Sequence, residues 1–176
     1  TWITHDMQAA YLELHRLGHA HSVEVFDGER LVGGIYGVAI GRMFFGESMF
    51  STERDASKVA LVYLTARLIR GGFRLLDTQF VTDHLRQFGT VEVGKDAFHE
   101  ALAEALTCEG DFWALSRDAA PAEVLAVIAG VAAGDVGEAV RLDDRRRGRR
   151  GIPGAHGHAR DLFVAGRQSG RDARRS

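Results

Sequence analysis

The spacing of apolar residues divides the first two thirds of the chain into alternating helices and strands. Between residues 4 and 17, apolar positions recur every three or four residues, which predicts an amphipathic helix after an N-cap at Thr4. Residues 21–26 then alternate between apolar and polar, Asp27-Gly28 is typical of a tight turn, and an extended pattern resumes after it. This combination predicts a β-hairpin.

The segments that follow complete a mixed pattern. Residues 42–45 predict a third strand that ends at Gly46, and residues 57–70 predict a helix that ends at Gly71-Gly72. Further along, the pattern predicts a short buried strand, a helical turn, a small strand and a last helix, over residues 73–79, 83–88, 90–93 and 97–106. The order α-β-β-β-α-β-α-β-α predicts an α/β (α+β) domain, in which helices flank a mixed sheet.

Composition narrows the class of protein without identifying it. The 176 residues are 45% hydrophobic and 26% charged, and the net charge is −2. The single cysteine, Cys108, excludes an intramolecular disulfide framework and multi-cysteine metal sites. Because no apolar run approaches the ~18 residues of a membrane helix, we expect no membrane partner and a cytoplasmic protein.

A change in composition predicts two regions. Residues 1–117 carry the mixed α/β pattern, whereas residues 118–176 are rich in Ala, Gly and Arg, with 11 arginines against 8 acidic residues. The second region offers one short Ala-rich helix and no sustained period. We therefore expect a catalytic domain over 1–117 and a disordered tail over 118–176.

Three polar residues interrupt strongly apolar segments and are candidates for chemistry. Asp77 and Gln79 lie two positions apart in a predicted strand, which puts both on one face of the sheet. A carboxylate beside a carboxamide can orient an amine or amide, although Asp77 could equally cap a helix or pair with an arginine. Glu47 follows a glycine in FFGESMF, where it can bind an ammonium group or simply reach solvent at a strand end.

Other polar groups give weaker signals. The H-x-H pairs at His19/His21 and His156/His158 lack nearby acidic or cysteine ligands, so we expect no metal. The serines have no G-x-S-x-G context, and the glycines after Leu31 form no dinucleotide or phosphate-binding loop.

Taken in order, the segments resemble one family. The quoted motifs are WIT-x-x-M-x-x-AY from Trp2, HSVE from His21, LVGGIYGV from Leu31, FGESMFS from Phe45 and LLDTQ from Leu75. Together with SK-x-AL and DHL they resemble leucyl/phenylalanyl-tRNA–protein transferases, from Trp2 to about Leu115. The resemblance implies a fold like that of GNAT acyltransferases.

The resemblance also implies a bacterial activity and its partners. Such an enzyme moves Leu or Phe, and less well Met, from aminoacyl-tRNA to the N-terminal Arg or Lys of a protein, which marks that protein for N-degron degradation. No metal or other cofactor is implied, because the aminoacyl ester is already activated. A side-chain pocket that selects by shape discriminates by only ~1–3 kcal/mol per methylene, so some use of Met is expected.

Site residues follow from the matching motifs. Asp77 and Gln79 correspond to the reacting centre, Glu47 to the residue that binds or deprotonates the incoming α-amine, and Trp2 and Tyr11 to residues around the terminal adenosine. The apolar pocket for the Leu or Phe side chain is expected to be lined by Ile35, Phe44, Leu64, Leu68 and Leu76.

Departures from the family keep two alternatives open. The resemblance implies an N-terminal domain before the WIT motif, which we expect to be absent here, and Thr78 stands where the family usually has cysteine. An inactive remnant that still binds tRNA or protein is one alternative. An acyl-CoA-dependent N-acyltransferase is the other, although no pyrophosphate-binding loop of that class is found.

Overall fold

A mixed six-stranded sheet organises the protein, as the sequence predicts for an α/β domain. The structure is a computed structural model, and it describes residues 3–78, 91–133 and 163–167. The sheet has the order β1-β2-β3-β4-β6-β5, with antiparallel pairing from β1 to β3 and parallel pairing from β3 onward.

The first helix and hairpin form as their patterns predict. Helix α1 spans His5–Arg16, and the Thr4 side chain caps it by accepting a hydrogen bond from the backbone N–H of Met7, at 3.3 Å. Strands β1 (Ala20–Asp27) and β2 (Arg30–Ile40) pair in antiparallel fashion. Gly28 supplies the positive φ of 63° that their turn requires.

Strand β3 is longer than its pattern predicts. It spans Met43–Ser51 rather than ending at residue 45, because pairing with β2 continues through the polar segment that the sequence suggested as its end. Glu47 therefore lies within the sheet and not in a loop that follows it.

The main core lies between the sheet and helix α2 (Ala56–Arg70). Strand β4 (Leu75–Asp77) runs parallel to β3, and it is shorter than the predicted strand over 73–79. The buried side chains that form this core come from α2, from three strands and from two connecting segments: Ile35, Phe44, Ala60, Leu61, Leu64, Leu68, Phe73, Leu76 and Phe112.

A second layer closes the other face of β3 and β4. Strand β5 spans Val91–Val93, and helix α3 (Lys95–Ala105) packs Phe98 and Leu102 against Met43 and Leu75. The helical turn predicted over 83–88 lies outside the described residues.

The packed part of the chain continues past residue 117, which differs from the predicted boundary. Helix α4 spans Pro121–Ala133 and places Val124, 1% exposed, against Ala66 and Leu115 of the preceding region. Strand β6 (Phe163–Arg167) pairs with both β4 and β5. The Ala-rich segment packs because its apolar side chains contact the side of α2 that is turned away from the sheet. The rest of the predicted tail lies outside the described residues.

Candidate active site

A β-bulge in β3 sets the position of Glu47 near the centre of the sheet. Tyr36 pairs with Ser48 and the next residue, Gly37, pairs with Gly46, so that Glu47 is the extra residue on β3. A bulge bends its strand and redirects a side chain, and such bulges are common beside active sites. The local irregularity thus gives the carboxylate its position.

Gly37 makes the bulge possible. A Cβ at this position would overlap the carbonyl oxygen of Phe45 and lie 2.5 Å from Cε1 of Phe44. Since both neighbours belong to the packed strand that carries the bulge, a larger residue would displace the backbone on either side of Glu47.

Two tyrosines adjoin the Glu47 carboxylate. The ring of Tyr11, on α1, meets the ring of Tyr36, on β2, edge to face with centroids 5.3 Å apart. Burial raises the pKa of Tyr11 to about 12, and the charge of Glu47 and a side-chain hydrogen bond to it add to the effect. Burial and then the Glu47 charge also raise the pKa of Tyr36. Both phenols therefore stay protonated as donors at neutral pH.

Asp77 lies one strand away from Glu47. It is fully buried in β4 and pairs with Phe45, two residues before Glu47 on the parallel strand β3. A Cβ on the intervening Gly46 would lie 3.2 Å from the carbonyl oxygen of Asp77. The pairing brings two of the three predicted polar residues to neighbouring strands at one level of the sheet. Gln79 lies outside the described residues.

The five predicted pocket residues gather in one cluster. Four of them are at most 1% exposed, and the fifth, Ile35, is 9% exposed. Leu64 and Leu68 of α2 pack against Ile35, Phe44 and Leu76 of the sheet, so the structure brings the five together as a closed core. Trp2, which is predicted to lie with Tyr11 around the terminal adenosine, lies outside the described residues.

An open cleft lies beside the two tyrosines. It has a volume of about 510 Å³ and runs between α1 and the face of the sheet that is turned away from α2. Its lining combines aromatic, polar and aliphatic side chains: Ile3, Gln8, Tyr11, Leu12, His15, Ala20, His21, Ser22, Glu24 and Tyr36. A larger cavity of about 690 Å³ shares His15, Ser22 and Glu24 with it.

Sequence reasoning missed Tyr36, Ser22 and Glu24 as site residues. Ser22 and Glu24 alternate with Val23 and Val25, so period two already put them on the solvent side of β1. What the pattern could not indicate is that α1 crosses that side and turns it into a cleft.

A buried arginine supports the wall of this region. Arg67 of α2 donates to the carbonyl oxygens of Phe112, Leu115 and Ser116 at 3.0, 2.6 and 3.0 Å. Its guanidinium also lies 5.3 Å from the centroid of the Phe112 ring, against which His21 stacks at 4.0 Å. The loop after residue 110 is thereby fixed behind the cleft.

The site offers the Glu47 carboxylate with the phenols of Tyr11 and Tyr36 beside it. Among the described residues, no group of three His, Cys, Asp or Glu side chains is arranged to hold a metal ion. In the same part of the chain, no helix is long and apolar enough to cross a membrane. A carboxylate next to an open cleft can bind an ammonium group or accept its proton.

Comparisons with known proteins agree on one family. The family model described as "Leucyl/phenylalanyl-tRNA protein transferase" matches residues 1–103. The chain is similar to leucyl/phenylalanyl-tRNA–protein transferases from Phenylobacterium zucineum, with 58% identity over 123 residues, and from Caulobacter vibrioides, with 55% over 128 residues. These matches cover 70% and 73% of this chain but 56% and 59% of the relatives. The chain thus spans a little more than half the length of these curated relatives.

Proposed function

The chain belongs to the leucyl/phenylalanyl-tRNA–protein transferase family, and from this premise we propose that the whole protein transfers Leu or Phe from aminoacyl-tRNA to the N-terminal Arg or Lys of proteins. The observation that supports it best is the Glu47 carboxylate, which a bulge presents beside Tyr11 and Tyr36. An α-amine is the nucleophile of this reaction, and an anionic group is what holds a protonated amine.

The proposed reaction needs a base, a donor and an exit for the leaving group. The acceptor α-amine loses a proton, attacks the ester carbonyl carbon, and forms the new amide bond. The ester C–O bond breaks, and the tRNA 3′ hydroxyl leaves with a proton. We assign binding and deprotonation of the amine to Glu47, and we place Asp77 and Gln79 at the reacting carbonyl. Trp2 and Tyr11 lie beside the terminal adenosine in this proposal.

Tyr11 would then have two tasks. Its hydroxyl is hydrogen-bonded to Glu47, and its ring faces the cleft, which would place adenosine stacking and amine binding next to each other. In this proposal, the side-chain pocket is formed by Ile35, Phe44, Leu64, Leu68 and Leu76. This cluster lies on the α2 side of the sheet, opposite the cleft, so it would have to open for the Leu or Phe side chain to enter.

The wider role is part of the same proposal. We expect a GNAT-like catalytic domain, less efficient use of Met, and a cytoplasmic protein that marks its targets for degradation. The mixed α/β sheet and the family match support the catalytic part of this proposal.

The test is a transfer assay with purified components. Charged leucyl-tRNA and an Arg-starting peptide are incubated with the 176-residue chain and with a version extended to the length of its relatives. The longer protein should form leucyl-peptide, whereas Glu47→Gln, Asp77→Asn and Gln79→Ala should each lower turnover by about 10²–10³. Glu29→Gln, in the β1–β2 turn, is the matched control. No product from a folded longer protein would refute the proposal.

The alternative function is binding of tRNA or protein without transfer. In that case the 176-residue chain binds charged tRNA or acceptor peptide but forms no product, while the extended protein remains active.

A further inference from the structure

The solvent side of β1 carries a second carboxylate that faces the cleft. Glu24 is exposed and lines both the 510 Å³ cleft and the 690 Å³ cavity, at the place where the two meet. The hydroxyl of Ser22 donates to its Oε1 at 2.9 Å. No lysine, arginine or histidine in the described ranges forms an ion pair with it. Glu24 is therefore an oriented anion without a cationic partner among those residues.

The cleft floor connects Glu24 to the bulge that carries Glu47. On β2, Gly34 pairs with Glu24 on one side and with Phe50 on the other. The Phe50 ring covers this glycine, since its Cε1 lies 3.1 Å from the position of a Gly34 Cβ. The route toward the bulge therefore runs over Ser22 and Tyr36, the next register pair on the same face, and both line the cleft.

The backbone separation of Glu24 and Glu47 is close to the length of one basic residue with a hydrogen bond at each end. They are two strands apart and about two residues apart along the sheet, so their backbones are separated by about 12 Å. An extended arginine or lysine measures ~7 Å from its α-nitrogen to its terminal cation, since each bond adds little more than 1 Å. A hydrogen bond of ~3 Å at each end brings the span to about 13 Å.

We propose that Glu24, oriented by Ser22, binds the basic side chain of the acceptor's N-terminal residue while Glu47 binds the α-amine of that residue. This inference rests on the proposed function, and it assigns the preference for Arg or Lys to a specific side chain. An N-terminal Arg or Lys has two cations. The site offers two carboxylates, Glu24 in the cleft and Glu47 beside the two tyrosines that line it. A neutral or acidic first residue leaves Glu24 unpaired.

Peptide binding tests this assignment without tRNA. Fluorescein-labelled peptides that differ only in a first residue of Arg, Lys or norleucine are titrated with the 176-residue chain and followed by anisotropy. The chain should bind the Arg and Lys peptides about tenfold more tightly than the norleucine peptide, as expected for a charge-assisted hydrogen bond. Glu24→Gln should reduce this preference to less than twofold.

Further variants separate recognition from folding. Glu24→Asp should keep most of the preference, and Glu24→Lys should favour a peptide that begins with Asp. Glu29→Gln, at the other end of the same hairpin, should behave as the wild type. Because Glu24 is exposed, we expect unchanged thermal unfolding for all of them. A tenfold preference that survives in Glu24→Gln would overturn the assignment, and so would its absence from the wild type.

The transfer assay distinguishes this inference from the proposed function. In the extended protein, Glu24→Gln should raise KM for Arg-starting peptides about tenfold and change kcat less than twofold. Transfer by the wild type with an unaltered KM in Glu24→Gln would reject the role of Glu24 and leave the activity standing. Glu24-dependent binding by a protein that never forms product would reject the activity and retain the role of Glu24.

Discussion

The rings of Tyr11 and Tyr36 meet edge to face with centroids 5.3 Å apart, and they connect α1 to the second strand of the sheet. This contact fixes the distance between the helix and the strand that pairs with the bulge. Because Tyr11 is also hydrogen-bonded to Glu47, a displacement of α1 would move a partner of the candidate base. The first helix is in this way part of the site and not only a cover for it.

The Tyr11 phenol predicts a loss of stability at high pH. Its pKa is raised to about 12 in the folded chain, first by burial and then by Glu47, whereas the unfolded value is about 10. Above pH 10 the unfolded chain therefore releases a proton that the folded chain still holds. The stabilisation is complete below pH 10 and is lost as the pH rises toward 12.

Urea unfolding at pH 9, 10 and 11 measures this effect. Tyr11→Phe should lose less stability than the wild type over that range, and Tyr63→Phe on α2 is the control. Parallel pH dependence in Tyr11→Phe and the wild type would show that the phenol is not in the environment described.

Gly37 should tolerate no side chain. Gly37→Ala would push a Cβ into the Phe45 carbonyl and the Phe44 ring, so we expect a loss of at least ~2 kcal/mol of stability and a displaced Glu47. Gly130→Ala is the matched control, because nothing lies within 4 Å of its Cβ and alanine favours a helix by about 1 kcal/mol. Thermal unfolding of both variants compares them directly. Equal stability of Gly37→Ala and the wild type would mean that the bulge adapts without cost.

The local elements could be predicted from sequence because each has its own signal. Thr4 and the apolar spacing indicate α1, and Asp27-Gly28 indicates the hairpin turn. The bulge could not be predicted, since FFGESMF has a polar residue where a strand end and an irregular strand look alike. Only the pairing of Tyr36 with Ser48 and of Gly37 with Gly46 distinguishes them.

Long-range packing accounts for the other differences. The sequence predicts helix α4 only as a short Ala-rich helix. Its burial depends on Ala66, which is far away in sequence, as well as on Leu115, which shortly precedes it. The roles of Ser22 and Glu24 likewise depend on where α1 crosses the sheet. Residues such as Ile35 and Phe44 could be predicted as apolar and clustered, but their close packing is a tertiary property.

Arg67 should be essential for the loop after residue 110. Its guanidinium satisfies three carbonyl oxygens, and Arg67→Met would leave buried acceptors without donors at a cost of ~1–3 kcal/mol each. We expect a total loss of at least ~3 kcal/mol in urea unfolding. Arg70→Met, one turn further along α2 and exposed, should change stability by less than ~0.5 kcal/mol. If Arg67→Met lost less than ~0.5 kcal/mol of stability, water would be replacing the three hydrogen bonds of the guanidinium.

Two truncations test how far the folded domain extends. A chain that ends after residue 133 keeps α4, whereas one that ends after residue 117 loses Ala119 and Val124 from their cluster. The shorter chain should unfold more easily by about 2 kcal/mol, since a buried apolar side chain contributes ~1.5–3 kcal/mol. Equal unfolding would restore the boundary expected from sequence.

The arginine-rich segment after residue 140 is predicted to be dispensable, and a test must keep β6, which pairs with β4 and β5. Replacement of the arginines at 145–147 and 149–150 by glutamine should leave tRNA affinity and its salt dependence unchanged. Each phosphate contact contributes ~0.7–0.9 to the log–log slope, so a slope that falls by one or more would assign tRNA contacts to this region.

The buried His21 ring predicts that the stability of the fold also depends on pH in the acidic range. Burial is the largest cause that lowers its pKa, and the nearby charges of His15, Arg67 and His19 act in the same direction. The backbone of Gly18 acts against them by accepting a hydrogen bond from the ring. Nδ1 of the same ring is buried and has no hydrogen-bond partner in the described part of the chain. The neutral ring is therefore the form that the folded chain prefers.

The sign of the effect follows from proton binding. Below about pH 6.5 the unfolded chain protonates this histidine while the folded chain does not, so stability falls as the pH decreases, by at most ~1.4 kcal/mol per unit. His21→Phe keeps a ring against Phe112 and removes the titrating group. Its unfolding free energy should lie within ~1 kcal/mol of the wild type at pH 7.5 and should depend less on pH between 6.5 and 5. His99→Gln on α3 is the control, and a variant that loses stability as steeply as the wild type would assign the acid sensitivity to other groups.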